Sequence, residues 1–295
     1  MSNNIITLTT DWGIGDNYAA IFKAHLYQEN PNAKIIDITH EVRKNAIIDA
    51  AFLAKTMYCY FPKNSIHIID VNNLAFCNEN EYRKKLKLKQ SVDSLHFTHY
   101  LAFRYDEHYF MCENNGIISL LCNTNEIKEI VKILPNKTYE NFHTFKAIPY
   151  WVNAATKLAK GENLLSIGEK YKIEHIELLK IPMAYNPYGQ KDKIAFCCRY
   201  VDSYGNIITN LHKNFFDKIA DGRTTFDFYC TQIGIKKNRK ISTDYNDKFS
   251  DEFMLLFGHS QYLEICMKYA PFAKILRAES LNLEFTITFP PKIEE

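Results

Sequence analysis

From residue 5 to about 135, short β-branched runs alternate with segments of helical periodicity, and this alternation restricts the fold more than any other feature of the chain. Runs at 5–10, 34–38 and 65–71 read as strands. The segments 17–28 and 45–58 place Ala19, Ile21, Phe22 and Leu26, then Ile47, Ile48, Ala51 and Phe52, at helical spacing. Strands separated by single helices need crossover connections, so the pattern predicts an α/β layer with a largely parallel sheet. Residues 100–105 and 108–112 then read as a hairpin around Asp106-Glu107. The stretch ENNGIISLL opens a short helix after Asn114-Asn115-Gly116, and a further helix over 150–160 stops at Gly161.

With 295 residues the chain is longer than the roughly 100–200 residues of one domain, which predicts two. The stretch MAYNPYGQKDK, 183–193, gathers Pro, Gly, Asn and charge, so the break is expected there: an N-terminal domain over 1–186, a linker at about 187–193 and a C-terminal domain over 194–295. Beyond the linker the chain reads mostly as strands, at 194–200, 206–211, 225–229, 252–257, 262–268 and 283–288, which predicts a smaller β domain.

A formal net charge of +2 over such a length generates no field that would gather nucleic acid or an acidic membrane, so small-molecule partners are expected. The basic run from Arg83 to Lys89 alternates like a solvated hairpin. Eight cysteines form no C-x-x-C pair and have no nearby histidine pair at ligand spacing, so reduced core thiols are expected, and neither metal nor cofactor. The N-terminus has no charged and apolar signal regions, and no run of about 18 apolar residues occurs, which predicts a cytoplasmic protein.

Ligands of parallel sheets collect outside the carboxyl ends of the strands, and Asp11 of TLTTDWGIGDNY is the first polar residue past the first strand. Gly13-Ile14-Gly15-Asp16 lacks the third glycine of a dinucleotide loop and the Lys-Ser/Thr of a P-loop. Two carboxylates, Asp11 and Asp16, would repel a phosphate but accept from a pair of vicinal hydroxyls. Asp16 reads equally as a helix N-cap. His40 follows the second strand, and His67 within the third reads as structural. Asp70 and Asn72 share one strand face and point toward the same pocket. The segment VDSYGNIITN, 201–210, carries the punctuation of a hairpin turn.

TLTTDWGIGDNY, NPNAKIIDITHEV, AAFLAKTMYCYFPKNSIHIIDV, ENNGIISLL, TFKAIPYWVNAATKLAKG, VDSYGNIITNL and SQYLEICMKYAPFAKIL occur in an order and spacing that resemble the S-adenosylmethionine (SAM) hydroxide adenosyltransferase family, relatives of fluorinase and chlorinase. The resemblance spans about residues 5–288. It implies an N-terminal α/β domain, a C-terminal β-barrel-like domain, and a homotrimer that binds SAM where one subunit's N-terminal domain meets a neighbour's C-terminal domain. By resemblance, Asp11 grips the ribose diol, and Phe145 lines the ribose and nucleophile pocket. Asp202 and Asn206 meet the methionine amino group and the adenine edge. Gly258, His259 and Ser260 hold the methionine end, and the backbone near Ala270–Ala273 walls adenine.

The sequence departs from the family pattern at the water-activating positions. The family aspartate aligns with Asn72, which has no basic lone pair, and the family histidine aligns with Lys146. Arg83 is a displaced counterpart of the family arginine. A two-residue register shift would return Asp70 to the place of Asn72, and a desolvated, neutral Lys146 would serve as base. The expected function is therefore SAM hydrolysis to adenosine and methionine, with binding of SAM or adenosine without efficient hydrolysis as the alternative. A halogenase is disfavoured because TFKA lacks the small hydroxyl residue that meets a halide.

Overall fold

The computed structural model describes residues 4–71, 99–139, 141, 142, 145, 147–230, 234–247, 253–276 and 283–291, with backbone alone for 235–238. The chain divides into two compact units, residues 1–180 and 181–295. The division precedes the proline- and glycine-rich stretch because Tyr185 already pairs with Ala195, which ties 183–193 to the second unit.

The first unit is built on a seven-stranded sheet. Its strands are β1 (Ile5–Thr10), β2 (Lys34–Thr39), β3 (Ile66–Asp70), β4 (Tyr100–Tyr105), β5 (His108–Glu113), β6 (Glu129–Ile133) and β7 (Gly168–Lys170), in the order β2-β1-β3-β5-β4-β6-β7. The first four in that order are parallel and the other three join antiparallel. Helices α1 (Tyr18–Glu29), α2 (Ile47–Met57), α3 (Ile117–Leu121) and α4 (Asn153–Ala159) cover the sheet. Ile6, Leu8, Ile66 and Ile68 form one core with Phe22 and Leu26 of α1 and Ala154, Ala155 and Leu158 of α4. The unbroken burial of β3 is what a strand covered on both faces requires.

The hairpin turn falls at Asp106-Glu107, both with positive φ (44° and 63°), the mirror-image turn that matches strand twist. Pro149 cannot donate to the helical ladder, and the residues before α4, Ile148–Val152, wind as a wider π turn.

The second unit is one curled antiparallel sheet, a half-barrel. It comprises β8 (Lys193–Val201), β9 (Ile207–His212), β10 (Phe226–Cys230), β11 (Ile235–Arg239), β12 (Phe253–Phe257), β13 (Tyr262–Met267) and β14 (Glu284–Thr288), in the order β11-β10-β14-β8-β9-β13-β12. Phe196, Phe228, Phe253 and Phe285 fill its interior. Two helices interrupt the strands, α5 (Lys213–Ala220) and α6 (Phe272–Ile275). Cys112, Cys122, Cys198, Cys230 and Cys266 are buried, Cys197 is half-buried, and Cys59 is exposed rather than in the core. No helix among the described residues is long and apolar enough to cross a membrane.

Candidate active site

In the first sheet β1 has β2 on one side and β3 on the other, so the chain leaves β1 one way and returns past it. The crevice outside the carboxyl ends of β1 and β3 is therefore the switch point where α/β sheets bind ligands. Asp11 stands there, half-buried, immediately past Thr10, which is in register with Asp70. The loop after β2 fixes it. Asn45, left-handed at φ 62°, turns its N–H onto Asp11 Oδ2 at 3.0 Å, and Lys44 Nζ donates to the Asp11 carbonyl. That loop is held in turn by Arg43, whose guanidinium grips the buried Asp49 carboxylate of α2 at 2.7 and 3.0 Å.

His40 braces the Asp11 loop from below. Its Nδ1 pairs with Thr10 Oγ1 at 2.8 Å, its carbonyl accepts from Gly13 N at 2.6 Å, and its ring stacks on Trp12 at 5.7 Å and 10°. Burial lowers the His40 pKa, and Asp37, 3.2 Å from Nε2, opposes that shift. The neutral ring is thus a positioning element. His67 is structural as well: Thr7 Oγ1 lies 2.8 Å from Nδ1, His108 lies 3.1 Å from Nε2, and burial pushes its pKa down to about 3.

Trp12 is the centre of an aromatic wall. It meets Phe22 and Phe145 edge-on at 5.2 and 5.0 Å, and Phe145 meets Tyr18 at 5.1 Å. The indole Nε1 donates to Asp70 Oδ2 at 2.8 Å. Asp70 is 2% exposed, and burial raises its pKa to about 6 against the pull of that hydrogen bond. The ladder from Ile6–Ile66 to Thr10–Asp70 runs without a shift, so the carboxyl lies beneath Trp12.

In the second unit, the turn between β8 and β9 is organised by Asp202. Its Oδ1 accepts from Tyr204 N and Asn206 N at 3.0 and 2.8 Å, and its Oδ2 from Asn206 Nδ2 at 2.9 Å. Gly205, at φ 80°, closes the turn directly against Pro271. Beside it is a cavity of about 570 Å³ lined by Tyr204, Asn206, Tyr245, Met267, Lys268, Tyr269, Ala270 and Pro271, within the size range of small-molecule sites. Glu264 of β13 is buried nearby, and burial, then the Asp202 charge, raises its pKa to about 7. Gly258 is what makes room for it: a Cβ there would lie 1.8 Å from Glu264 Oε1.

The structure thus groups Asp11, Asp70 and Phe145 in the first unit, and Asp202 with Asn206 in the second. His259 and Ser260 form the turn between β12 and β13, closed by Gln261 N donating to the Gly258 carbonyl at 3.0 Å; Ser260 Oγ accepts from Tyr262 N at 3.3 Å. Asp16 is exposed, and α1 starts after it, with Asn17 at the cap position and no side-chain cap bond. Asn72, Arg83 and Lys146 lie outside the described residues, as do Cys77 and the basic run 83–89. Trp12, Tyr245, Tyr269 and Glu264 are additions from the structure. Trp12 had one sequence signal, its place directly after Asp11. No group of three metal-ligating side chains occurs among the described residues.

Two family models match the chain: the SAM hydroxide adenosyltransferase N-terminal domain over residues 6–83 and 92–168, and the C-terminal domain of the same family over 197–282. The chain belongs to the SAM hydroxide adenosyltransferase family. A family relative, the (R)-S-adenosyl-L-methionine hydrolase of Methanocaldococcus jannaschii, is 25% identical over 293 residues, covering 95% of this chain and 94% of the relative. Two solved structures share the fold. A conserved protein from Thermotoga maritima superposes with a TM-score of 0.78 at 21% identity, over 96% of this chain and 99% of its own. Another from Thermus thermophilus gives 0.67 at 15% identity, over 97% and 99%.

Proposed function

We propose that the chain binds S-adenosylmethionine and hydrolyses it to adenosine and methionine, water displacing sulfur at the ribose carbon that bears it. The observation that carries this is Asp11: a half-buried carboxylate at the β1/β3 switch point, held by the Asn45 N–H and backed by the Trp12–Phe145 wall. An ionised carboxylate offers only acceptors, which suits a ribose diol and rejects a phosphate. Fixing the ribose aligns the reacting carbon for in-line attack. The leaving sulfonium becomes a neutral thioether, so an apolar wall favours charge loss and strips water from the nucleophile. The leaving group is already activated, and the chemistry calls for no cofactor.

In this reading the cavity beside Asn206 takes the adenine ring between Tyr245 and Tyr269, and Asp202 faces the methionine ammonium, with His259 and Ser260 toward its carboxylate. Asn72, Lys146 and Arg83 are assigned to the attacking water. A homotrimer working in the cytoplasm belongs to the same proposal. The M. jannaschii relative, whose name states SAM hydrolysis, supports the reaction class.

A second reading, binding of SAM or adenosine without efficient hydrolysis, has its own support. Asp70 keeps regular register with β1, is 2% exposed, and has one carboxyl oxygen engaged by the Trp12 indole. One assay separates the two. Purified protein incubated with SAM yields adenosine and methionine at a rate that Asp11→Ala and Phe145→Ala each lower at least about tenfold, a loss of about 1.4 kcal/mol or more in transition-state binding. A rise in melting temperature with SAM but no product supports binding alone, and neither effect rejects both readings.

A further inference from the structure

The chain contains two tryptophans, and the structure sets both beside one buried acid. Trp12 Nε1 donates to Asp70 Oδ2 at 2.8 Å. Trp151 Nε1, buried in α4's preceding turn, acts on the same carboxyl without reaching hydrogen-bond geometry, and Asp70 Oδ1 has no partner among the described residues. Among the described residues, the other groups around Asp70 are Asp11 past β1 and the Tyr100 hydroxyl of β4, itself beside Glu113 of β5; His40 stacks on Trp12. The backbone joins in: Asp11 N lies 3.4 Å from the Asp70 carbonyl.

We propose that Asp70 is a positioning residue: ionised, it anchors the Trp12 indole and with it the Phe145 wall and the Asp11 loop, and protonated it releases them, so ligand affinity is linked to the state of this one acid. The link is geometric. Trp12 lies between the Asp70 carboxylate, the His40 ring and the Phe145 edge, and its backbone follows Asp11 directly, so a rotation of the indole moves the wall and the loop together. An indole N–H donates only, and a carboxylate accepts more strongly than a carboxylic acid, so protonation weakens the one polar contact that orients the ring. Asp70 is buried and hydrogen-bonded to the indole, so it acts through Trp12. This inference rests on the nucleoside-binding reading for its consequence, though not for the anchor itself.

The test has a ligand-free arm and a ligand arm. Without ligand, tryptophan emission of the intact protein is titrated: it shifts with a midpoint near about 6 and is flat in Asp70→Asn, which keeps an acceptor oxygen but cannot ionise. No shift, or a shift that survives in Asp70→Asn, overturns the anchor. With adenosine as probe, wild-type Kd rises as pH falls through the same midpoint. Asp70→Asn, a neutral acceptor like the protonated acid, binds at every pH with the weakened affinity that wild type shows at low pH, and Asp70→Val, lacking any acceptor, binds at least about tenfold more weakly than neutral wild type at every pH. Trp12→Phe, with no indole donor, loses the pH dependence of Kd as well. A pH-dependent Kd retained in Asp70→Asn overturns the proposal. So does an Asp70→Asn variant that binds normally but loses turnover by orders of magnitude, which would make Asp70 a chemical base. If the emission titrates as described but neither adenosine nor SAM binds, the nucleoside reading fails and the anchor stands.

Discussion

Replacing Gly205 by alanine tests how the second unit builds its cavity. The glycine sits at φ 80°, where an L side chain costs about 1–2 kcal/mol. A Cβ there would also lie 2.5 Å from Pro271 Cβ and 2.8 Å from its Cα, so backbone must move; overpacking of this kind costs about 1–3 kcal/mol. Together the loss is about 2–5 kcal/mol. Gly189 provides an internal control, because its φ of 74° carries the same conformational strain while nothing stands within 4 Å of an added Cβ. In calorimetry the transition of the second unit, about 115 residues, falls by roughly 8–20 °C for Gly205→Ala and roughly 4–8 °C for Gly189→Ala, at roughly 4 °C per kcal/mol. The displaced Pro271 also shifts the cavity wall, since the Gly205 carbonyl accepts from Ala273 N at 2.9 Å, so adenosine binds at least about tenfold more weakly to Gly205→Ala alone. Equal damage from the two substitutions would rule out the clash with Pro271, and a destabilised Gly205→Ala with unchanged adenosine affinity would separate this turn from the cavity wall.

Asp70 holds its proton more tightly folded, at a pKa of about 6, than unfolded, at 3.8, so its contribution to stability is present below the lower value and lost as pH rises through the higher. Asp70→Asn therefore raises thermal stability at about pH 8, by up to about 3 kcal/mol, with the gain gone by about pH 4, as thermal melts across pH will show. His67 has the opposite sign: folded near 3 against 6.5 unfolded, it stabilises above 6.5 and costs about 1.4 kcal/mol per pH unit as pH falls toward 3. Ring-proton NMR will show His67 still neutral at about pH 4.5; a midpoint near 6 would refute the buried, neutral assignment. Gly258→Ala, which collides with the Glu264 carboxyl, lowers stability by about 1–3 kcal/mol, while Gly258→Ala combined with Glu264→Ala recovers most of it, measured by urea unfolding.

Much of the fold is legible in the sequence because its elements bury regular faces. The runs at 5–10 and 100–105 coincide with β1 and β4, and the alternation of strand and helix gives the parallel part of the sheet. What the sequence hides follows physical exceptions. Helix α5, KNFFDKIA, is eight residues inside a run of strands, too short for a periodic signal to stand out. Strand alternation puts Glu264 on the side of solvent, whereas β13 lies between β9 and β12 and the residue is buried. Asp11 is legible as a strand-end carboxylate. The role of Trp12 is not, because its hydrogen bond to Asp70 joins residues 58 positions apart, and only the β1–β3 register brings them together.

The proposed reaction is the binding of SAM and its cleavage by water at the ribose carbon attached to sulfur. It is tested most directly by incubating the purified protein with SAM in water enriched in oxygen-18 and examining the products by mass spectrometry. Methionine is expected without label, and adenosine with one heavy oxygen at the former sulfur-bearing carbon, formed well above the rate of the Asp11→Ala variant. Adenosine at no more than the uncatalysed background, or adenosine free of label, would contradict it.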